Sequence, residues 1–167
     1  MSISKKSTSI QQVEPDEKEP TSVAGLVLEN RLGYALRRAQ LTVFKHFNEA
    51  MQEHEIRPAQ FSSLVVIEGY PGITQANLAK MLDIDPPRVV SLINHLEERG
   101  LALRVRCKRD KRSHGIFLSK KGEALTEQLK ALAEQSDIHA TQSLSEIERR
   151  QLLSLLVKIY APETSEE

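Results

Sequence analysis

"TQANLAKMLDIDPPRVVSLINHLEERGL", residues 74–101, contains two short apolar repeats of helical spacing with a break between them. Thr74 is a good N-cap, and Leu78, Ala79 and Leu82 follow on one inward face. Asp85 is read as the cap of a second helix. Pro86 takes its first position, where a missing N–H costs no helical bond. Val89, Leu92, Ile93 and Leu96 form the buried stripe of that helix, and Gly100 ends it as a left-handed residue. Two short helices joined by roughly three residues predict a helix-turn-helix.

Working outward, "LALRVR" (101–106) alternates like a half-buried strand, with Leu101, Leu103 and Val105 on one face. "CKRDKRSHG" (107–115) is rich in turn residues, and "IFLS" (116–119) returns as a second short strand. A helix-turn-helix followed by such a hairpin is a winged helix. Upstream, Leu28, Leu32, Leu36, Ala39, Val43, Phe47 and Met51 repeat at threes and fours along one long helix. Arg57-Pro58 breaks it and opens another, carrying Phe61, Leu64, Val65 and Glu68, which "GYPGIT" (69–74) ends in a turn. Downstream, a helix from Lys120 runs through Leu125, Leu129 and Leu132 to about His139. Ser145 and Glu148 form a capping box for a last helix with Ile147, Leu152, Leu155, Leu156 and Ile159 on its apolar side.

The fold class expected is therefore mostly α with a small β-hairpin wing. Residues 1–22 are polar and read as a disordered tail, 23–160 as one domain and 161–167 as an acidic tail. Within the domain, 58–119 form the winged helix, while 28–54 and 120–160 flank it. Those flanking helices carry more apolar surface than one small winged helix can cover, which predicts a homodimer interface.

Composition narrows the function. The chain has 167 residues, 40% of them hydrophobic, enough for one domain with a real core. No apolar run reaches the ~18 residues of a membrane span, and the first residues lack a secretory pattern, so a cytoplasmic protein without membrane partners is expected. A single cysteine excludes an internal disulfide. Net charge is zero, yet residues 99–121 hold nine basic residues against one acid, while residues 1–98 and 122–167 are both net acidic. A neutral protein with one strongly positive segment is suited to focused contact with phosphates. His46, His54, His95, His114 and His139 show no close metal-ligand spacing. Neither a phosphate-binding glycine loop nor a nucleophile elbow is present, so no enzyme, metal or cofactor is expected.

The second helix of the pair would expose Pro86, Pro87, Arg88, Ser91, Asn94 and His95 opposite its stripe. Arg88 is the best base reader, since its fork fits a guanine edge; pairing with Asp85 or a phosphate is the alternative. Lys108, Arg109, Lys111 and Arg112 crowd the hairpin tip, placed to reach phosphates or the minor groove, or else to form a solvated charged hairpin. Thr74 and Gln75 open the first helix, where outward amides suit a phosphate; Thr74 serves equally as a cap. Tyr34, Arg37, Arg38 and Phe61 could hold an aromatic carboxylate or a phosphate, or the arginines could pair with the acidic C-terminal part across a dimer. Cys107 sits among Arg106, Lys108 and Arg109, which favours a thiolate and a redox switch, against the plainer reading of an inert thiol at a strand end.

The hairpin also carries Asp110, Arg112, Leu118, Ser119 and Gly122 in "DKRSHGIFLSKKG". That spacing, together with "ITQANLAKMLDI" and "LINHLEERGL", resembles the MarR family of bacterial transcription regulators over roughly residues 28–160. The resemblance implies a triangular homodimer that binds double-stranded DNA at a pseudo-palindromic operator and releases it when a small aromatic effector binds. It implies that Asp110 organises a neighbouring arginine, with Leu118, Ser119 and Gly122 structural. Ser91 stands where many members carry arginine, so base preference does not transfer. Redox-sensing members place their cysteine near the first helix, unlike Cys107. "LGYALRRAQL" (32–41) followed by "RPAQFSSL" (57–64) is similar to the subgroup controlling hydroxycinnamate and aromatic-acid breakdown. Some of its members sense the free acid and others the coenzyme A thioester. The function this implies is a ligand-responsive repressor. The alternatives are redox sensing through Cys107, or an effector-independent winged-helix interaction or architectural protein.

Overall fold

In a computed structural model, the chain is described over residues 25–106 and 114–161. Contacts divide it inside its first long helix, into a unit ending at Arg37 and one beginning at Arg38. The expected tail 1–22, the acidic residues 162–167 and the hairpin tip 107–113 lie outside the described residues.

The first unit is short. A 3-10 turn, Val27–Asn30, closes with Arg31 N–H donating to Leu28 O at 3.1 Å. Helix α1, Leu32–Ala50, then begins. The helix read from Leu28 onward is thus interrupted at Arg31, whose backbone is extended. Leu26, Val27, Leu28 and Leu32 are all exposed.

The second unit takes up α1 at Arg38. Phe47 and Met51, four residues apart, are buried there. A 3-10 turn, Gln52–His54, follows, with Glu55 in the left-handed region. Helix α2, Pro58–Gly69, has proline at its start as expected, and Arg57 N–H donates to Gln60 Oε1 at 2.8 Å. It touches α3 (Gln75–Leu82), α4 (Pro86–Glu98), α5 (Lys120–Ala140) and the hairpin, so Leu64 and Ile67 are fully buried. Strands β1, Ala102–Arg106, and β2, His114–Leu118, are antiparallel, with Ala102 opposite Leu118 and Leu103 opposite Phe117. Helix α6, Glu146–Tyr160, ends the described chain.

The core is one cluster drawn from α1 through α5 and the hairpin. Helix α6 contributes nothing buried to it: Ile147, Leu152, Leu153, Leu155 and Ile159 are exposed. The surplus apolar surface expected on the flanking helices is there. The capping box is also as read: Ser145 N–H and Oγ–H donate to Glu148 Oε2 at 2.8 and 2.7 Å, and Ser145 Oγ accepts from Glu148 N–H at 3.3 Å. Among the described residues no helix is long and apolar enough to cross a membrane.

Two expectations need correction. Leu101 is buried, but Leu103 and Val105 are 46% and 47% exposed, while Ala102 is buried and Arg104 half-buried. The strand's inner face is therefore the other one. Leu101 precedes the strand and is seated by the helix end, where Leu101 N–H donates to Leu96 O at 2.8 Å. Alternation begins only after it, at Ala102. Asp85 occupies the N-cap position, but its side chain caps nothing. A capping side chain needs the N–H of the second or third helical residue. Pro87 has none, and Arg88 N–H already donates to Asp85 O at 3.0 Å.

Candidate nucleic-acid interface

Thr74 Oγ1 accepts from Asn77 N–H at 3.2 Å, so Thr74 caps α3 as its position implied. The turn to α4 is residues 83–85, with Asp83 in the left-handed region and Ile84 N–H donating to Ala79 O at 3.1 Å. Helix α4 buries Val89, Ile93 and Leu96 completely, with Leu92 partly buried beside them. Its other side is exposed: Pro86, Pro87, Arg88, Ser91, Asn94 and His95 all lie on solvent. Among the described residues Arg88 has no ion-pair partner, Asp85 included, so its guanidinium remains available to a ligand.

Arg104 on β1 ties this face to the hairpin. Its guanidinium pairs with Glu97 of α4, its backbone N–H donates to Glu97 Oε1 at 2.9 Å, and Nη2 donates to Asn94 Oδ1 at 2.8 Å. Turned so that its amide oxygen faces Arg104, Gln75 accepts from Nη2 at 2.7 Å and Nε at 3.2 Å. One arginine thus joins the start of α3, the outer side of α4 and the wing. Arg104 and Glu97 were not among the expected site residues; their spacing gives no sign of a hub. The arrangement also changes what Asn94 and Gln75 can do. Each has its oxygen engaged, which leaves its NH2 group as the free end for a phosphate or base acceptor.

The wing is fixed at its base. Ser119 Oγ donates to Gly100 O at 2.6 Å and accepts from Gly122 N–H at 3.0 Å, and Ser119 N–H donates to Leu101 O at 3.0 Å. Gly100, at φ +69°, makes the turn out of α4. Ile73 extends the small sheet by bridging to Ile116, with Gly72 N–H donating to Ile116 O at 2.8 Å. The expected tip contacts Lys108, Arg109, Lys111 and Arg112, with Asp110 and Cys107, lie outside the described residues.

A cleft of about 880 Å³ opens beside the exposed side of α4. Arg88, Ser91 and His95 form one wall, and Asn48, Gln52, Arg57 and Gln60, from α1, the 3-10 turn and α2, form the other. Arg99 lines it too, but donates to Glu55 O at 3.0 Å and His54 O at 2.7 Å. Phe61, expected among the ligand residues, packs its ring 5.5 Å from Phe47 at the core edge rather than lining this cleft. Tyr34, Arg37 and Arg38 follow one another on α1, Tyr34 half-buried and both arginines exposed. Among the described residues no group of three or more His, Cys, Asp or Glu could hold a metal ion.

Residues 54–113 match the model of the MarR family. Over 134 residues, 80% of this chain and 81% of the relative, the sequence is 30% identical to a candidate transcriptional regulatory protein for the hcr operon of Thauera aromatica. Among solved structures, a transcriptional repressor, CouR, bound to a 23-mer DNA duplex, is 37% identical. The likeness covers 84% of this chain and 99% of that one with a TM-score of 0.78. CouR bound to p-coumaroyl-CoA is 39% identical, covering 79% of this chain and 93% of that one at a TM-score of 0.72.

Proposed function

This chain belongs to the MarR family of transcriptional regulators, and on that premise we propose that it is a homodimeric repressor released from its operator by an aromatic acyl thioester of coenzyme A. The observation that carries the DNA-binding half is the geometry of α4. Its inner side is locked in the core, its outer side offers Arg88, Ser91, Asn94 and His95, and Arg104 fixes the wing beside it. Arg88 reads a base edge, the free NH2 groups of Asn94 and Gln75 assist at bases and phosphates, Pro86 and Pro87 shape the contact, and Thr74 sits at the backbone. Lys108, Arg109, Lys111 and Arg112 supply the charge that holds phosphates, with Asp110 ordering them.

The partner in the dimer is a second copy, joined through the apolar sides of α6 and the residues before α1. Two reading helices then address half-sites about one helical turn apart. The likeness to CouR structures holding DNA in one case and p-coumaroyl-CoA in the other supports the effector class. The cleft beside α4 supplies a mechanism. A ligand lodged there touches Arg88, Ser91 and His95, the side chains DNA would need. It therefore favours the DNA-free state by differential binding. The other expected ligand residues divide between the units, Tyr34 and Arg37 in the first and Arg38 and Phe61 in the second, each a group suited to an aromatic ring or to a phosphate.

The test is binding of the purified protein to DNA upstream of its own gene, titrated with hydroxycinnamates and with their coenzyme A thioesters. Release by the thioester but not the free acid is expected. Release by the acid alone would replace the thioester with a small phenolic effector. Specific binding indifferent to every compound would remove the effector reading while leaving the regulator. Loss of binding on peroxide treatment, absent in Cys107→Ser, would favour redox sensing instead.

A further inference from the structure

Along the outer side of α4, Arg88, Ser91 and His95 follow at intervals of three and four and are all exposed. They stand above one another over about 10 Å of helix, seven rises of 1.5 Å. The two ends of that strip meet DNA differently. The first turns of a reading helix face base edges, which is where Arg88 stands. Two turns further on, the helix leaves the groove and passes the sugar-phosphate backbone. His95 stands there, in the last turn of α4.

The charge around His95 is one-sided. Arg88 and Arg99 flank it on α4, and Arg57 lines the same open cleft from the start of α2. Arg99 is already engaged, donating to His54 O at 2.7 Å and Glu55 O at 3.0 Å. Two carboxylates are near in the chain, Glu55 on the cleft and Glu98 three residues along the helix, and both are exposed. Neither pairs with the imidazole. Glu97 is taken by Arg104. Among the described residues α3 and β1 bring no charged group to that cleft. His46 makes the contrast, since its Nδ1 has Glu49 Oε2 at 3.6 Å. Among the described residues the His95 imidazole has neither a hydrogen-bond nor an ion-pair partner, so an anion that meets it comes from outside the chain.

We propose that His95 is a proton-linked phosphate contact: its imidazolium donates to the DNA backbone, so binding takes up a proton and weakens as pH rises. This deepens the DNA-binding reading above and rests on α4 being the reading helix. Imidazole is the one side chain whose ordinary change of charge falls between pH 5 and 8. In its charged form it neutralises one phosphate and releases a counterion; in its neutral form it does neither. The protonated form therefore binds more tightly. The gain is present at low pH and lost as pH rises, with uptake of up to one proton per chain. Arg88 and the other arginines stay charged throughout, so they supply a constant part of the affinity. Operator occupancy is thereby graded by acidity.

The experiment uses the full chain, DNA from upstream of its own gene and a duplex of unrelated sequence, each at pH 6 and pH 8 over a range of salt. Affinity for both duplexes is expected to fall about ten-fold from pH 6 to pH 8, the size of two modest exposed contacts in a dimer. The slope of log affinity against log salt should shrink by about two, one phosphate from each chain. His95→Gln should bind at both pH values as the wild type does at pH 8. His95→Arg, charged throughout, should bind at both as the wild type does at pH 6. Both replace an exposed side chain, and an unchanged melting temperature checks that the fold is kept. His114→Gln, which removes the imidazole of β2, should leave the pH dependence in place. A pH dependence that survives in His95→Gln or His95→Arg would overturn the assignment. An effect on the upstream DNA that is absent on the unrelated duplex would put the imidazole on a base and overturn the phosphate contact. Tight operator binding that does not change with pH sinks this proposal alone. No operator binding at either pH sinks the reading of α4 on which it rests.

Discussion

At the scale of single residues, the strictest constraint is at Gly122. A Cβ there would stand 2.0 Å from Leu101 O and 2.9 Å from Leu101 C, both backbone atoms. Helix α5 can begin where it does only because nothing projects from Gly122 toward the end of the reading helix. Gly122→Ala should therefore destabilise the fold by ~2–3 kcal/mol or more, read as a lower denaturant midpoint with an unchanged slope. A midpoint within error of the wild type would mean that α5 can shift without loss. Arg104 is the second such residue. Arg104→Ala leaves the half-buried Glu97 carboxylate with only the backbone N–H of position 104, and the oxygens of Asn94 and Gln75 without their donor. A stability loss of ~1–2 kcal/mol is expected, with DNA affinity falling roughly ten-fold on every sequence, because the wing and α4 no longer hold one relative position. A double-mutant cycle with Glu97→Gln measures the coupling; additive effects would show that the pair does not join the two elements.

At the scale of elements, α6 offers a pH test. The Ser145 hydroxyl and backbone N–H both donate to the Glu148 carboxylate, which holds its pKa below the ordinary glutamate value. A lowered folded-state pKa contributes stability that is present above the unfolded value and lost as pH falls through the folded one. Asp137, near the end of α5, has the opposite sign. Burial raises its pKa, against the opposing charge of Arg149, so its neutral form is favoured and its contribution fades as pH rises. Ser145→Ala should flatten the acid side of the stability profile and leave the Asp137 part untouched; Asp137→Asn should do the reverse. An acid limb unaltered by Ser145→Ala would remove the capping box from the account. The legibility of these elements follows their physics. Thr74, Pro58, Gly100 and the Ser145–Glu148 box act within four residues of the helix ends they set, so the sequence displays them. The phase of β1 was not legible. It depends on Leu101 being seated by the end of α4 and on Arg104 finding Glu97, Asn94 and Gln75, seven to twenty-nine residues away. Asp85 misleads for a related reason: Pro86 suits the helix start, but Pro87 after it has no N–H for the Asp85 side chain to cap.

At the scale of the whole molecule, the question is what covers the apolar sides that the core leaves out. Leu153, Leu155 and Ile159 of α6 are 62%, 59% and 61% exposed, and Leu32 at the start of α1 is 67% exposed. A single chain in water gains nothing from such surface, whereas a second copy burying it gains roughly 25 cal/mol for each Å² removed from water. A charge at its centre should therefore oppose assembly without touching the core. Leu153→Glu is expected to keep the helical content of the wild type but to sediment as a single chain of 18.8 kDa. The consequence for DNA separates assembly from charge. The basic segment 99–121 is unaltered in that variant, so each chain keeps its own phosphate contacts and its own share of the salt dependence. What it loses is the second reading helix tethered at fixed spacing, hence the gain from effective concentration. Operator affinity should fall by about a hundred-fold or more, and the slope of log affinity against log salt should drop to about half. Arg109→Ala in the dimer should lower the same slope by ~1 for each phosphate contact it removes. A single-chain Leu153→Glu that retained both the full slope and the full affinity would place all the DNA contacts in one copy and overturn the two-headed reading.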